Sequence, residues 1–218
     1  MPLLSVLPIE EQEQFDAPPI FTAEERKHFF TIPQWAQEVI AALPTPASKL
    51  GLFVQLGYFR ATKQFYSLRT VRAADETFAA SRLGLPSSTT LGAYSTPTLY
   101  RHREIIRQKL GYHSFGSAIE KTLLEQVNFL LAKQMKLKDI LGRCLQVLEE
   151  QRVEIPGYYR LAVLITRAFR AYEKRLLAAI DTNLRDEDKE LLDRLLETDP
   201  TYQENDKQDL KLKRYAIT

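Results

Sequence analysis

Residues 48–59 read SKLGLFVQLGYF, and this stretch decides the fold. Its side chains are apolar on nearly every side of a helix, so it predicts a central helix buried on all faces. Gly51 and Gly57 lie within the stretch, at a cost in helix propensity. Both glycines therefore predict close crossings by neighbouring helices.

Amphipathic segments lie on both sides of this central helix. Apolar residues recur with the three- and four-residue spacing that gives a helix one buried face. The predicted helices cover residues 32–43, 48–59, 68–83, 119–131, 137–148, 161–180 and 184–197. No alternating pattern typical of a strand is present. The sequence therefore predicts an all-α, multi-helix bundle.

Two helical units are expected. The shorter helices belong to an N-terminal domain, residues 1–134, and the longer ones to a second domain, residues 135–218. The chain ends in ENDKQDLKLKRYAIT, which begins what reads as one more helix and stops without a cap. We therefore expect the second domain to be truncated and the chain to be a fragment or an early-terminated protein.

Composition restricts the class of protein. Of 218 residues, 44% are hydrophobic and 27% are charged, as in ordinary globular proteins. Cys144 is the one cysteine, so no internal disulfide can form. No apolar run approaches the roughly 18 residues that span a bilayer. The acidic, proline-broken start does not resemble a signal peptide. We expect a cytoplasmic protein with no membrane contact.

Charge is segregated along the chain. Residues 1–45 carry seven acids and two bases, a net charge of −5, and residues 181–218 carry eleven acids and seven bases, a net of −4. Residues 58–113 carry nine bases and three acids, a net of +6. A basic segment between acidic ends indicates a local site for a polyanion, although a solvated helix face explains the same charge.

The basic segment contains a pattern like a helix-turn-helix. Ala80 and Gly84 have the spacing of its first helix and turn, and Gly84 can adopt the left-handed conformation that ends a helix. A Leu-Pro-Ser-Ser break follows, and then a basic helix that ends near Gly111. Helix-turn-helix units are joined by short turns, so we expect a short connection here.

The basic helix has one apolar face. Leu99, His102, Ile106 and Leu110 share it, and we expect them to be buried. His102 is therefore expected to be a hydrogen-bonded core histidine and not a catalytic one. The opposite face is then available to lie along a DNA groove.

With these residues in view, the chain resembles the N-terminal region of Tn3-family transposases. Residues 49–60, KLGLFVQLGYFR, carry the most specific likeness. The likeness also includes residues 79–85, the run from Tyr94 through Thr98, His102 and Ile106 to Gly111, and Ile155-Pro156. The family usually has arginine where this chain has Leu99. The resemblance implies recognition of the terminal inverted repeats of a transposon, with catalysis in a metal-dependent acidic domain that this chain lacks.

From the basic segment and this resemblance we predict contacts with double-stranded DNA at the terminal inverted repeats, in a bacterial, nucleoid-associated protein. The candidate DNA-binding residues are Arg60, Lys63, Arg69, Arg72, Arg82, Ser87, Ser88, Thr98, Tyr100, Arg101, Arg103, Arg107 and Lys109. No catalytic residue, metal ligand or cofactor is predicted, because no phosphate loop, nucleophile–base set or zinc spacing occurs.

One alternative stays open. The long helices over residues 137–180 and the unfinished C-terminus also suit a helical protein-interaction or dimerisation module. In that interpretation an exposed stripe that includes Leu164 and Phe169 would contact a second copy or the rest of a transposase.

Overall fold

The computed structural model describes residues 3–197, which form ten α-helices, two short 3-10 helices and no strand. The all-α prediction is confirmed. The helices are α1 (Ile9–Asp16), α2 (Ala23–Phe29), α3 (Gln34–Ala42), α4 (Pro46–Thr62), α5 (Ala73–Arg82), α6 (Thr96–Leu110), α7 (Ser117–Ala132), α8 (Leu137–Glu150), α9 (Tyr158–Asn183) and α10 (Asp186–Glu197). The 3-10 helices are Leu68–Thr70 and Leu91–Ala93.

Helix α4 is the centre of the N-terminal half, as the sequence predicts. Its residues from Leu50 to Phe59 are buried without interruption. The Thr45 side chain accepts a hydrogen bond from the Ser48 amide and Pro46 opens the first turn, so the start of the helix is fixed locally. Helices α2, α3, α5 and α6 all pack against α4.

The two glycines of α4 are sites of close approach, but aromatic rings and not helices make the contacts. A Cβ atom at Gly51 would overlap the ring of Tyr94. At Gly57 it would lie 2.6 Å from the ring of Phe30, which is fully buried. Because contacts this short do not occur between real atoms, the rings reach α4 only where the side chain is absent.

The connection between α5 and α6 is longer than the short turn that the sequence suggested. Gly84 has a φ of +63° and ends α5 as predicted, with the Leu85 amide bonded to the Ala80 carbonyl at 3.0 Å. Residues 83–95, which include the second 3-10 helix, connect α5 to α6. The second 3-10 helix of this connection packs on α4 as well, so the connection is part of the packing around the central helix.

Residues 68–83 do not form one continuous helix either. A 3-10 helix comes first, and α5 begins only at Ala73. Between them, Val71 and Arg72 have ψ angles of 132° and 131°, which are not helical. The Arg72 amide donates to the Tyr58 hydroxyl at 3.1 Å, which holds the chain out of the helix at this point.

The buried residues form two clusters. The first contains residues of α3–α6 together with Phe21 and Phe30. The second contains residues 115–168 of α7, α8 and α9, joined by Val6 and Leu7 from the chain start. Helix α7 packs on α8 and α9, so its buried face belongs with the second cluster. The domain boundary near residue 134 stays a prediction.

An extended segment before α9 ties the two clusters together. The Ile155 amide donates to the Lys63 carbonyl at 2.9 Å. His113 donates to the Arg152 carbonyl at 2.8 Å and accepts from the Glu154 amide at 2.9 Å. These backbone hydrogen bonds fix the end of α4 and the end of α6 against the second half of the chain.

Candidate nucleic-acid interface

Helix α6 is held on α4 by its apolar face, as predicted. Leu99, His102 and Ile106 are buried, and Leu110, also predicted to be buried, is only partly buried against the same cluster. The Tyr94 hydroxyl lies 2.7 Å from Nδ1 of His102, and the Gln55 side chain donates to the same hydroxyl. This buried network fixes the rotation of α6 and therefore decides which of its basic residues reach solvent.

His102 is a neutral packing residue. Burial, together with the positive charge of Arg101, lowers its pKa to about 4. Burial also raises the pKa of Tyr94 well above its usual range. At neutral pH the pair is uncharged, which agrees with a structural role for the histidine.

Arg103, predicted to contact DNA, is turned inward. Its Nε donates to Oε1 of the buried Gln55 at 2.9 Å, and its Nη2 donates to the Tyr66 carbonyl at 2.9 Å. The guanidinium also lies 5.0 Å from the ring centre of Phe65. Burial lowers the pKa of this arginine. Arg103 thus joins α6 to α4 and to the segment that follows α4.

Arg107 is also engaged within the chain. It donates to the Glu154 carboxylate at 2.8 Å and to Glu104 on its own helix. Glu154 accepts a further hydrogen bond from the Phe115 amide at 3.2 Å. Arg107 therefore stabilises the junction between the two clusters, and its charge is balanced by neighbouring acids.

Three more candidates donate to backbone carbonyls. Arg60 Nη1 bonds the carbonyls of Phe29 and Thr31, at 3.1 Å and 2.7 Å, and the Lys63 amine bonds the Arg60 carbonyl. Arg72 bonds the carbonyls of two consecutive prolines at positions 18 and 19, over 2.7–3.1 Å. The carbonyls carry no net charge, so these side chains are anchored on the protein surface without an ion pair, and burial lowers the pKa of Arg60 and of Lys63.

The remaining candidates face solvent. Four are exposed bases whose charged groups make no hydrogen bond or ion pair within residues 3–197, and three more are exposed polar or aromatic residues. The exposed bases are Arg69, Arg82, Arg101 and Lys109, and the exposed polar or aromatic residues are Ser87, Ser88 and Tyr100. The last candidate, Thr98, is half-buried and shares a hydrogen bond with Ser95 at 2.8 Å.

Two of these candidates lie together in an open groove. The groove encloses about 970 Å³ between α5 and the residues that lead into α6, and Arg69 and Ser87 both line it. Other hydroxyl side chains, Ser81 and Thr89 among them, line the same groove. Its surface offers hydroxyl donors and one guanidinium, which suit phosphate or sugar oxygens. The Glu76 carboxylate, which accepts from the Leu91 amide at 2.9 Å, also lines the groove and opposes an anion there.

The structure also brings together basic residues that sequence reasoning missed. Lys27 lines a cleft of about 450 Å³ with Arg82, and His28 lines another of about 300 Å³ with Arg60 and Lys63. Both missed residues lie in the acidic first 45 residues, whose net charge is −5. A count of charge along the chain therefore hides them, and nothing local in the sequence indicates their neighbours.

No group of three or more metal-ligating side chains occurs among the described residues. Within the same part of the chain, no helix is both long enough and apolar enough to cross a bilayer. Burial raises the pKa of Cys144 to about 11, so its thiol is protonated at neutral pH.

The described residues form an all-helical protein with exposed basic side chains on α5 (Arg82) and on α6 (Arg101 and Lys109). The family described as a domain of unknown function, DUF4158, matches residues 6–168, and the chain belongs to this family. The match spans both buried clusters. No curated protein matches the chain.

Proposed function

We propose that this chain is a DNA-recognition region of a transposase, which binds the terminal inverted repeats of a transposon at the bacterial nucleoid and does not itself cleave DNA. The observation that carries the proposal is the orientation of α6. Its apolar face is fixed in the core, and Arg101 and Lys109 project from the outer side without a partner among the described residues.

The chemistry of this face suits a duplex. Arginine can grip a phosphate or pair with two acceptors of guanine. Lysine supplies a point charge for phosphate. Most contacts in protein–DNA complexes position the backbone, so we assign Lys109 to phosphate and leave base reading to Arg101 or to residues beside it. The resemblance to Tn3-family transposases over residues 49–60 and 94–111 supports the same function.

The proposal is tested by selecting bound sequences from a random duplex library and footprinting the product. We expect a preferred sequence, with Arg101→Ala weakening its binding by about tenfold. Lys121→Ala is the matched control, because Lys121 is an exposed base on α7 with no partner in the described residues. A chain that selects no sequence and binds no duplex at low salt is not a DNA-recognition domain.

A second candidate function is docking to another helical protein or to a second copy. The residues first suggested for it, Leu164 and Phe169, pack in the second cluster. However, no residue of α9 after Ala168 is buried, and Leu177 is 39% exposed. If this half of α9 is an interface, light scattering will show concentration-dependent association that Leu177→Asp abolishes. A monomer at all concentrations would exclude self-association.

A further inference from the structure

Helix α2 carries two basic residues on a rigid support. The Thr22 hydroxyl and the Glu25 carboxylate form a capping box at its start. Arg26 points inward, where its Nε donates to the buried Asp75 at 2.6 Å and its Nη2 to the Phe21 carbonyl at 3.1 Å. Lys27 and His28 follow Arg26 and are exposed. Anchoring Arg26 therefore fixes the direction in which the next two side chains leave the helix.

On one side of α2 lies the cleft that Lys27 shares with Arg82. Phe78 and Ser81 complete its lining, so no carboxylate lies in it. Neither basic side chain forms an ion pair within residues 3–197. Glu24 is one turn earlier on α2 and is exposed, but it makes no ion pair with Lys27. The cleft thus presents two positive charges to solvent.

On the other side lies the cleft that His28 shares with Arg60 and Lys63. Aromatic and aliphatic side chains complete it, and again no carboxylate lines it. Arg60 uses only Nη1 in its two hydrogen bonds, so Nε and Nη2 have none among the described residues. Glu149 is the one acid that acts on Lys63, and it does so from beyond ion-pair distance. Both cations are half-buried without a carboxylate partner.

From these two clefts we infer a phosphate-binding track that crosses α2 and holds the sugar–phosphate backbone of duplex DNA. Its residues are Lys27 and Arg82 on one side and His28, Arg60 and Lys63 on the other. The inference rests on the proposed function and adds a contact surface away from the outer face of α6. Lys27 and His28 are consecutive, so their side chains leave α2 about 100° apart, and each lines one of the two clefts.

The dimensions suit a stretch of one DNA strand. A helix with its side chains is about 10–12 Å across, so the clefts lie on the order of 10 Å apart. One strand of a duplex rises about 3.4 Å per nucleotide along the axis while it winds around that axis. Neighbouring phosphates are therefore farther apart than this rise, and the track reaches about two of them. Such contacts position the protein without reading bases. The track should then contribute equally to binding of any duplex.

This independence of sequence makes the test simple. A fluorescent duplex of arbitrary sequence is titrated with the chain at several salt concentrations, and anisotropy gives the affinity. We expect Lys27→Ala and Arg82→Ala each to weaken binding about three- to tenfold in 50 mM salt. Each should also reduce the slope of log affinity against log salt by about 0.9, because one phosphate contact is lost. Lys27→Arg should keep both the affinity and the slope.

Two reference variants separate this inference from the proposed function. Lys121→Ala should bind as the unsubstituted chain does, and Arg101→Ala reports the α6 face. Suppose that Arg101→Ala weakens binding, while Lys27→Ala and Arg82→Ala have the affinity and salt slope of Lys121→Ala. The inferred phosphate-binding track is then refuted, and the proposed DNA contact of α6 is supported. If the unsubstituted chain binds no duplex even in 50 mM salt, both are wrong. Circular dichroism confirms that each variant is folded.

Discussion

Replacing Arg103 by alanine should destabilise the fold, although its position on a basic helix suggests a DNA contact. The substitution removes two hydrogen bonds of 2.9 Å, to Gln55 and to the Tyr66 carbonyl, and a contact with the Phe65 ring. Hydrogen bonds to charged groups contribute about 1.5–3 kcal/mol each. Water can replace part of the lost hydrogen bonding, because Arg103 is only half-buried. Gln55 is buried, however, and its Oε1 would lose this donor.

We therefore expect Arg103→Ala to lower the free energy of unfolding by about 2–3 kcal/mol. Arg101→Ala is the matched comparison, because Arg101 lies on the same helix and is exposed. Surface substitutions of this kind change stability by less than about 0.5 kcal/mol. Urea denaturation measures both variants. Trp35 is the one tryptophan and packs against the first cluster, so its fluorescence reports unfolding of the part that contains α6.

The two arginines should then separate stability from binding. Arg101→Ala should bind DNA more weakly at unchanged stability, while Arg103→Ala should lose stability. Arg103→Lys should restore only part of it, since one ammonium cannot reproduce the fixed fork of a guanidinium. If Arg103→Ala unfolds at the same urea concentration as the unsubstituted chain, the inward orientation of Arg103 is refuted.

Three further predictions concern stability. Gly57→Ala should destabilise the fold by about 1–2 kcal/mol, because the new methyl group crowds Phe30 by more than the gain in helix propensity offsets. The control Gly142→Ala has open space around it and should stabilise the fold by about 0.5–1 kcal/mol. Equal urea midpoints for the two variants would contradict this prediction. Asp75→Ala should cost about 2–4 kcal/mol, since it removes the buried carboxylate that pairs with the half-buried Arg26 and accepts from the Tyr58 hydroxyl; a loss below 1 kcal/mol would contradict it. The free energy of unfolding should fall as pH decreases from about 6.5 to 4, because His102 binds a proton in the unfolded chain but stays neutral in the fold, where its pKa is about 4. His102→Gln should reduce this pH dependence.

Much of the fold could be predicted because helical periodicity is a local property. The unbroken apolar stretch that became α4 and the stripes of α7, α8 and α9 are visible in the sequence and agree with the structure. The stop at Gly84 was also predictable, since a left-handed residue after a helix favours glycine.

One helix prediction was wrong, and some packing partners were not predicted, because a distant contact decides each of them. The break before α5 depends on the Tyr58 hydroxyl, which bonds the Arg72 amide from 14 residues away. The partner of α7 is decided by packing against α8 and α9, and no local pattern specifies that choice. Val6 and Leu7 join the second cluster from the other end of the chain, a contact that no periodicity within either segment could indicate.

The sequence locates the basic residues of the candidate site but does not show what each side chain contacts, for a reason particular to arginine. A run of basic residues shows how much charge a segment carries, but not which acceptors the charge meets. Arg60 and Arg72 donate to backbone carbonyls, and Arg103 to an amide and a carbonyl, so these arginines act as ties between segments. A carbonyl holds the side chain without cancelling its charge, whereas Glu154 does cancel that of Arg107. An anchored arginine such as Arg60 can therefore still attract a phosphate, and it does so with less loss of side-chain entropy than a mobile one.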